Sequence, residues 1–201
     1  MHPDQRLAKA PEQHYNTIIL LLGGFSLTHK LHVYTGNGKG KTTAAMGLAL
    51  RAAGHGQRVL IAQYMKDGQS GELYALRTLD HVVVYPAAPI EGFISQMSPS
   101  DLADTKRRQS EYTAELIDLI ADLKPRMIIL DELGAAVSLQ IIDSGTAMGL
   151  IRAAITYGET VVTGYQVPEE IRAAADYVSV ISCERHPYLT EGLPAREGVE
   201  W

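Results

Sequence analysis

The sequence predicts an α/β fold, a parallel sheet of about six strands with helices on both faces. Three observations predict it. From Leu31 onward, short apolar runs alternate with longer stretches whose apolar residues recur at helical spacing. The first run, LHVYT, passes into a glycine-rich turn ending in Gly40-Lys41-Thr42-Thr43, which opens a helix. A later run, Ile128-Ile129-Leu130, carries two acids at its carboxyl end, Asp131 and Glu132.

Residues 31–35 form the first strand. The helix after the turn is expected over residues 41–53, with Met46, Leu48, Ala49 and Leu50 inward and Gly54 as its stop. Residues 58–65 give a second strand, ending in Lys66-Asp67-Gly68, and residues 82–85 a third. Residues 86–99 read as an irregular, partly apolar loop. Ser100 is expected to cap a long helix in which Tyr112, Leu116, Leu119, Ile120 and Leu123 make one buried stripe. Residues 127–130 are wholly apolar, as a central parallel strand should be. Strands over residues 160–163 and 177–181 complete the sheet, with helices around 146–154 and 168–175 between. No internal repeat, low-complexity tract or linker interrupts this order.

The turn at residues 36–43 carries the first chemistry. Glycines at 36, 38 and 40 keep side chains out of the way, so successive backbone N–H groups can converge on phosphate oxygens at the positive end of a helix. Lys41 would reach the outer phosphates and the Thr42 hydroxyl a magnesium ion. Gly36, Gly38, Lys39, Gly40, Lys41, Thr42 and Thr43 are therefore expected at the nucleotide. The usual phosphate-loop pattern, G-x-x-x-x-G-K-[ST], puts its first glycine where Thr35 stands. Either the loop is one residue shorter, starting at Gly36, or the match is imperfect. A plain connecting turn is the competing reading, and a dinucleotide fingerprint fails because Lys41 stands where G-x-G-x-x-G needs its last glycine. In this fold Asp131 lies beside the loop and can hold the magnesium, usually through water, while Glu132 joins the metal shell or contacts the nucleotide. The fold expected is thus a P-loop NTPase-like (RecA-like) three-layer sandwich.

Length and composition agree with one domain. The 201 residues are 46% hydrophobic, enough for one well-buried core and short for two. A net charge of -5, with both signs mixed along the chain, argues against a nucleic-acid surface. The single cysteine, Cys183, cannot form an internal disulfide, which fits a reducing cytoplasm; at the end of an apolar run it reads as a buried structural thiol. Residues 1–30 are expected to be an arm packing on the domain or on a second subunit, the alternative being a non-native or disordered start; residues 31–201 form the domain. TIILLLGGFSL, at residues 17–27, is too short for a membrane span, and its acidic as well as basic flank is unlike a signal sequence.

Function comes from resemblance. T-G-N-G-K-G-K-T-T (35–43), R-A-A-G-H-G (51–56), Q-Y-M-K-D-G-Q-S-G-E (63–72), L-D-E-L (130–133) and the tail H-P-Y-L-T-E-G-L-P-A-R-E-G-V-E-W (186–201) together resemble the P-loop corrinoid adenosyltransferases that act on cob(I)alamin and cob(I)yrinic acid diamide. The tail discriminates most, because a generic NTPase has no reason to end in it. The resemblance implies binding of MgATP and transfer of its 5′-deoxyadenosyl group to reduced cobalt, leaving triphosphate. It also implies that Asn37 and Arg51 contact the nucleotide, that Phe93 shields the lower face of the corrin, and that His186 and Pro187 shape the tail. A homodimer and a flavoprotein electron donor are implied with it.

The missing chemistry is consistent with this. Reduced cobalt is already a strong nucleophile, so attack at C5′ needs no general base, and neither a Ser-His-Asp nor a Cys-His arrangement is visible. The protein must supply in-line geometry, charge neutralisation of the departing triphosphate and a dry pocket. Two departures stand out. The family's Gly-Phe-Thr-Trp is Gly92-Phe93-Ile94-Ser95 here, and its Thr-Gly-Arg is Thr163-Gly164-Tyr165. They mark either a different corrinoid preference or a paralogue that binds ATP in a regulatory or ATPase-like role without adenosylating corrinoids.

Overall fold

The computed structural model describes residues 29–88, 90, 92 and 94–200. Of the arm expected over residues 1–30, residues 1–28 lie outside the described residues, as does the aromatic at Phe93. Six parallel strands, β1 (Leu31–Thr35), β2 (Val59–Gln63), β3 (Val82–Val84), β4 (Met127–Asp131), β5 (Glu159–Gly164) and β6 (Tyr177–Val180), run in the order β3-β2-β4-β5-β1-β6. The centre is β4, flanked by β2 and β5. Every residue of VLIAQ in β2 and MIILD in β4 is buried, because a parallel strand covered on both faces has no solvent side.

Alternation along the strands feeds two cores. Leu60, Ala62, Ile128, Leu130 and Val162 pack with Leu116 and Ile120 of α3 (Pro99–Leu123) and with Leu150, Ile151 and Ala154 of α5 (Ser144–Tyr157). Val59, Ile61, Met127, Ile129 and Val161 face the other way, onto Ala45, Met46 and Ala49 of α1 (Lys41–Gly54) and Leu73 and Leu76 of α2 (Gly71–Leu76). Helix, sheet and helix make three layers. Two short helices, α4 (Leu133–Ser138) and α6 (Glu169–Ala174), bracket α5 and β5, and α7 (Pro187–Glu191) lies in the tail.

Several expectations are corrected. Leu50 is 55% exposed, because the buried positions of α1 are Ala45, Met46, Ala49 and Ala52, and a residue one place past Ala49 points about 100° away. The long helix is capped by Ser98, not Ser100: the Asp101 N–H donates to Ser98 Oγ at 3.2 Å, and Pro99, suited to a first helical position, fixes the start there. Strand β2 stops at Gln63, short of Met65, whose φ of 59° turns the chain out of the sheet. Cys183 is half-buried, not buried. Helices α2, α4 and α7 and a 3-10 turn at Ile94–Gln96 were not expected; at six residues or fewer they are too short to show a period.

Candidate nucleotide site

The site lies at the carboxyl ends of β1, β4 and β5, where loops gather in a parallel sheet. Gly36 starts the loop. Its φ is 109°, its N–H donates to the Tyr165 carbonyl at 3.2 Å, and a Cβ there would lie 2.4 Å from the Ile181 carbonyl oxygen. That settles the question of length: Thr35 closes β1 and the loop is the shorter form. The Gly38 N–H donates to the same Ile181 oxygen at 2.8 Å, which ties the loop to the chain leaving β6. Gly40, with φ 115°, precedes α1 and offers no side-chain cap. The first N–H groups of α1 thus keep their positive end open to an anion.

Gly36→Ala is expected to cost about 1–3 kcal/mol through its backbone conformation, and more through the contact with Ile181. Thermal denaturation should show a lowered midpoint and calorimetry a weakened ATP affinity. An unchanged midpoint would mean the loop relaxes freely.

Beneath the loop sits Asp131, fully buried at the end of β4. Four donors converge on its carboxylate. Thr42 Oγ1 and Thr163 Oγ1 donate to Oδ1 at 2.9 and 2.7 Å, and Gln63 Nε2 and Lys66 Nζ donate to Oδ2 at 3.0 and 2.6 Å. Lys66 Nζ also donates to Thr42 Oγ1 at 3.1 Å. Glu132 follows in a left-handed conformation, φ 60°, its N–H held by Thr163 Oγ1 at 2.8 Å. Burial first, then the neighbouring Asp131 charge, push its carboxyl above the usual range, while Lys66 and Lys41 oppose this. α4 approaches this end closely, since a Cβ on Gly164 would lie 2.6 Å from the Ala135 nitrogen.

Lys41 Nζ folds back onto the Gly38 carbonyl at 2.8 Å, over the loop. Lys39 turns to the tail, donating to the Val199 carbonyl at 2.7 Å and to Glu200 Oε1 at 2.9 Å. Glu200, hydrogen-bonded by Arg196 and then by Lys39, has its carboxyl pulled down to about 2. The tail therefore returns to the loop. Thr42, Thr43, Lys66, Gly198, Val199 and Glu200 share the lining of one cleft of about 900 Å³, at the large end of small-molecule sites. His186 caps α7 by accepting the Tyr188 N–H at Nδ1, and so does shape the tail.

Of the expected residues, Gly36, Gly38, Gly40, Lys41, Thr42, Thr43, Asp131 and Glu132 gather at this end of the sheet. Asn37 is tied to the chain after β6, its Oδ1 accepting the Cys183 N–H at 2.9 Å. Arg51 is not brought to the loop: it is exposed in the last turn of α1, about 15 Å along the axis from Lys41. Sequence reading passed over Gln63, Lys66 and Thr163. Each is a polar residue at or just past the end of an apolar run, and two lie inside the quoted 63–72 segment, so a signal was present. Tyr165, the departure from Arg, is 56% exposed, and its carbonyl carries the structural contact with Gly36.

A glycine loop between strand and helix, with a buried strand-end carboxylate bonded to the loop threonine, defines a P-loop nucleotide-binding α/β protein. Comparison with known proteins narrows the class. The family model described as ATP:corrinoid adenosyltransferase BtuR/CobO/CobP matches residues 28–201, and the chain belongs to that family. It is 31% identical over 172 residues to the "Corrinoid adenosyltransferase" of Pseudomonas aeruginosa, covering 85% of this chain and 83% of that protein. It is 30% identical over 176 residues to the protein of that name from Escherichia coli K12, and 29% to the one from Salmonella typhimurium, each alignment covering 84% of both chains. Among the described residues no helix is long and apolar enough to cross a membrane.

Proposed function

We propose that this chain is an ATP:corrinoid adenosyltransferase, transferring the 5′-deoxyadenosyl group of MgATP to cob(I)alamin or a related cob(I)rrinoid and releasing triphosphate. The observation that carries the reading is the pairing of the Gly36–Thr43 loop with Asp131 and the returning tail, in a chain belonging to that family. Two electrons on cobalt form the carbon–cobalt bond, the C5′–O bond breaks, and triphosphate leaves with its electron pair. No proton has to be removed from the nucleophile. What remains for the protein is to hold the triphosphate and stabilise the charge gained by the bridging oxygen.

The residues present fit a magnesium ion. Thr42 and Asp131 offer hard oxygen donors 2.9 Å apart, close to the ~3 Å between neighbouring oxygens of an octahedral site with ~2.1 Å ligand distances. Bound with the nucleotide, magnesium would neutralise part of the leaving triphosphate charge. The expectation that successive loop N–H groups converge on phosphate is narrowed, because those of Gly36 and Gly38 are bonded to the Tyr165 and Ile181 carbonyls. The N–H groups of the first turn of α1 and Lys41 would take the phosphate oxygens, Lys39 and Thr43 border them, and Asn37 offers its amide nitrogen, its oxygen being committed to Cys183. Glu132, next to Asp131 at the same strand end, would join the metal shell or contact the nucleotide. Arg51 as a nucleotide contact keeps only the sequence resemblance behind it. Phe93 is assigned to the lower corrin face on the same resemblance.

A flavoprotein reductant and a cytoplasmic setting complete the proposal, because cobalt must reach and keep its reduced state; a homodimer is proposed on the family resemblance alone. Mixing the protein with ATP and chemically reduced cobalamin should give the spectrum of the adenosyl product. A protein that binds ATP but leaves that spectrum unchanged would return the reading to a regulatory or ATPase-like P-loop paralogue.

A further inference from the structure

We propose that Lys66 is a positioning residue that holds the cation position between Thr42 and Asp131, so that a divalent metal enters only together with the nucleotide phosphates. The inference rests on the metal reading above. Lys66 Nζ lies 2.6 Å from Asp131 Oδ2 and 3.1 Å from Thr42 Oγ1, the residues that supply the metal's two protein oxygens. An ammonium bonded to both takes the space of a metal on Thr42 and of any water through which Asp131 would hold it, and two positive charges at that separation repel strongly. One has to leave before the other binds.

The lysine is built both to stay and to go. Asp131 is fully buried, and an ionised carboxylate there requires a cation or strong donors. Lys66 provides the cation, but its own side chain is 28% exposed, and its flexible stem issues from a turn where Met65 has left the sheet with φ 59°. It lines the same cleft as Thr42 and Thr43. Arriving phosphates would offer the ammonium a second set of anionic oxygens a short swing away, while the metal takes over the neutralisation of Asp131. Among the described residues no cluster of three His, Cys, Asp or Glu could hold a metal by itself. A metal without nucleotide would thus have to displace Lys66 with no such set of ligands to hold it in return. Metal and nucleotide then bind with positive coupling, each raising the affinity for the other.

The test uses manganese as the probe, followed by electron paramagnetic resonance on the whole chain. Without nucleotide, the wild-type protein should show no manganese site tighter than millimolar; with ATP it should gain one. Lys66→Met keeps the stem and removes the charge, and Lys66→Gln keeps a donor to Asp131. Either should bind manganese without nucleotide at least about tenfold more tightly than wild type, because the competing occupant is gone. Manganese alone should then raise the melting temperature of the variants and not that of wild type.

A tight site in nucleotide-free wild-type protein overturns the proposal without any variant being needed. So does a folded Lys66 variant that binds manganese no better than wild type. Asp131→Asn with ATP separates the two readings. If it takes up manganese with ATP as tightly as wild type, the metal assignment itself fails and Lys66 with it; if it does not, a negative result at Lys66 overturns this inference alone.

Discussion

Lys41→Ala is expected to lower adenosyl transfer by about 10²- to 10³-fold, the scale seen when one preorganised charge-stabilising group is removed. Its ammonium rests 2.8 Å from the Gly38 carbonyl, and in the proposed reading it would bring a full positive charge to phosphates that lose a bond on the far side. The loss should appear in both ATP affinity and rate, because the lysine meets the triphosphate in the ground state and meets a more negative one as the C5′–O bond breaks. The fold should be spared: Lys41 is half-buried, and its resting partner is a single carbonyl. Calorimetry with ATP and single-turnover spectroscopy with reduced cobalamin give the two numbers. Wild-type values for both would remove the loop from the chemistry.

Asp131→Asn should damage stability and metal dependence together. The replacement keeps an acceptor for Thr42 and Thr163 but turns an amide N–H₂ toward Gln63 Nε2 and Lys66 Nζ, which are donors themselves. Breaking a buried charge pair costs about 3–5 kcal/mol, and the low end applies because Lys66 can turn to water. Urea denaturation measures that loss. ATP binding to the surviving folded protein should lose its dependence on magnesium. A variant as stable as wild type, binding ATP with the same magnesium dependence, would mean that Asp131 is neither the metal ligand nor the anchor of the strand ends.

Much of this is legible in the sequence. Wholly apolar strands such as Met127–Asp131 and the amphipathic period of Pro99–Leu123 are strong signals, because burial on two faces or one leaves a direct imprint on residue type. The meeting of Thr42 with Asp131 at one end of the sheet was legible because the phosphate-loop pattern fixes the spacing of strand, turn and helix. What escaped depended on contacts between distant segments. The cage around Asp131 draws on β2, β5 and the turn after β2, and only the strand order β2-β4-β5 makes Gln63, Lys66 and Thr163 neighbours. Leu50 was misplaced because α1 turns a stripe of small residues, Ala45, Ala49 and Ala52, toward the sheet, whereas residue size suggested the leucines. The engagement of Lys39 by Glu200 spans 161 positions of sequence, and no local pattern announces it.

The most direct measurement of the central claim is the fate of the phosphates. In the proposed reading the first-turn N–H groups, Lys41 and a cation held at Asp131 would bind the triphosphate as a leaving group, so that it departs as one unit. Product analysis under strongly reducing conditions should therefore show triphosphate appearing in step with adenosylcorrinoid, one for one, and little turnover of ATP without corrinoid. ADP and single phosphate as the main products, formed without corrinoid and with no carbon–cobalt product, would contradict the transferase account while leaving the nucleotide site in place.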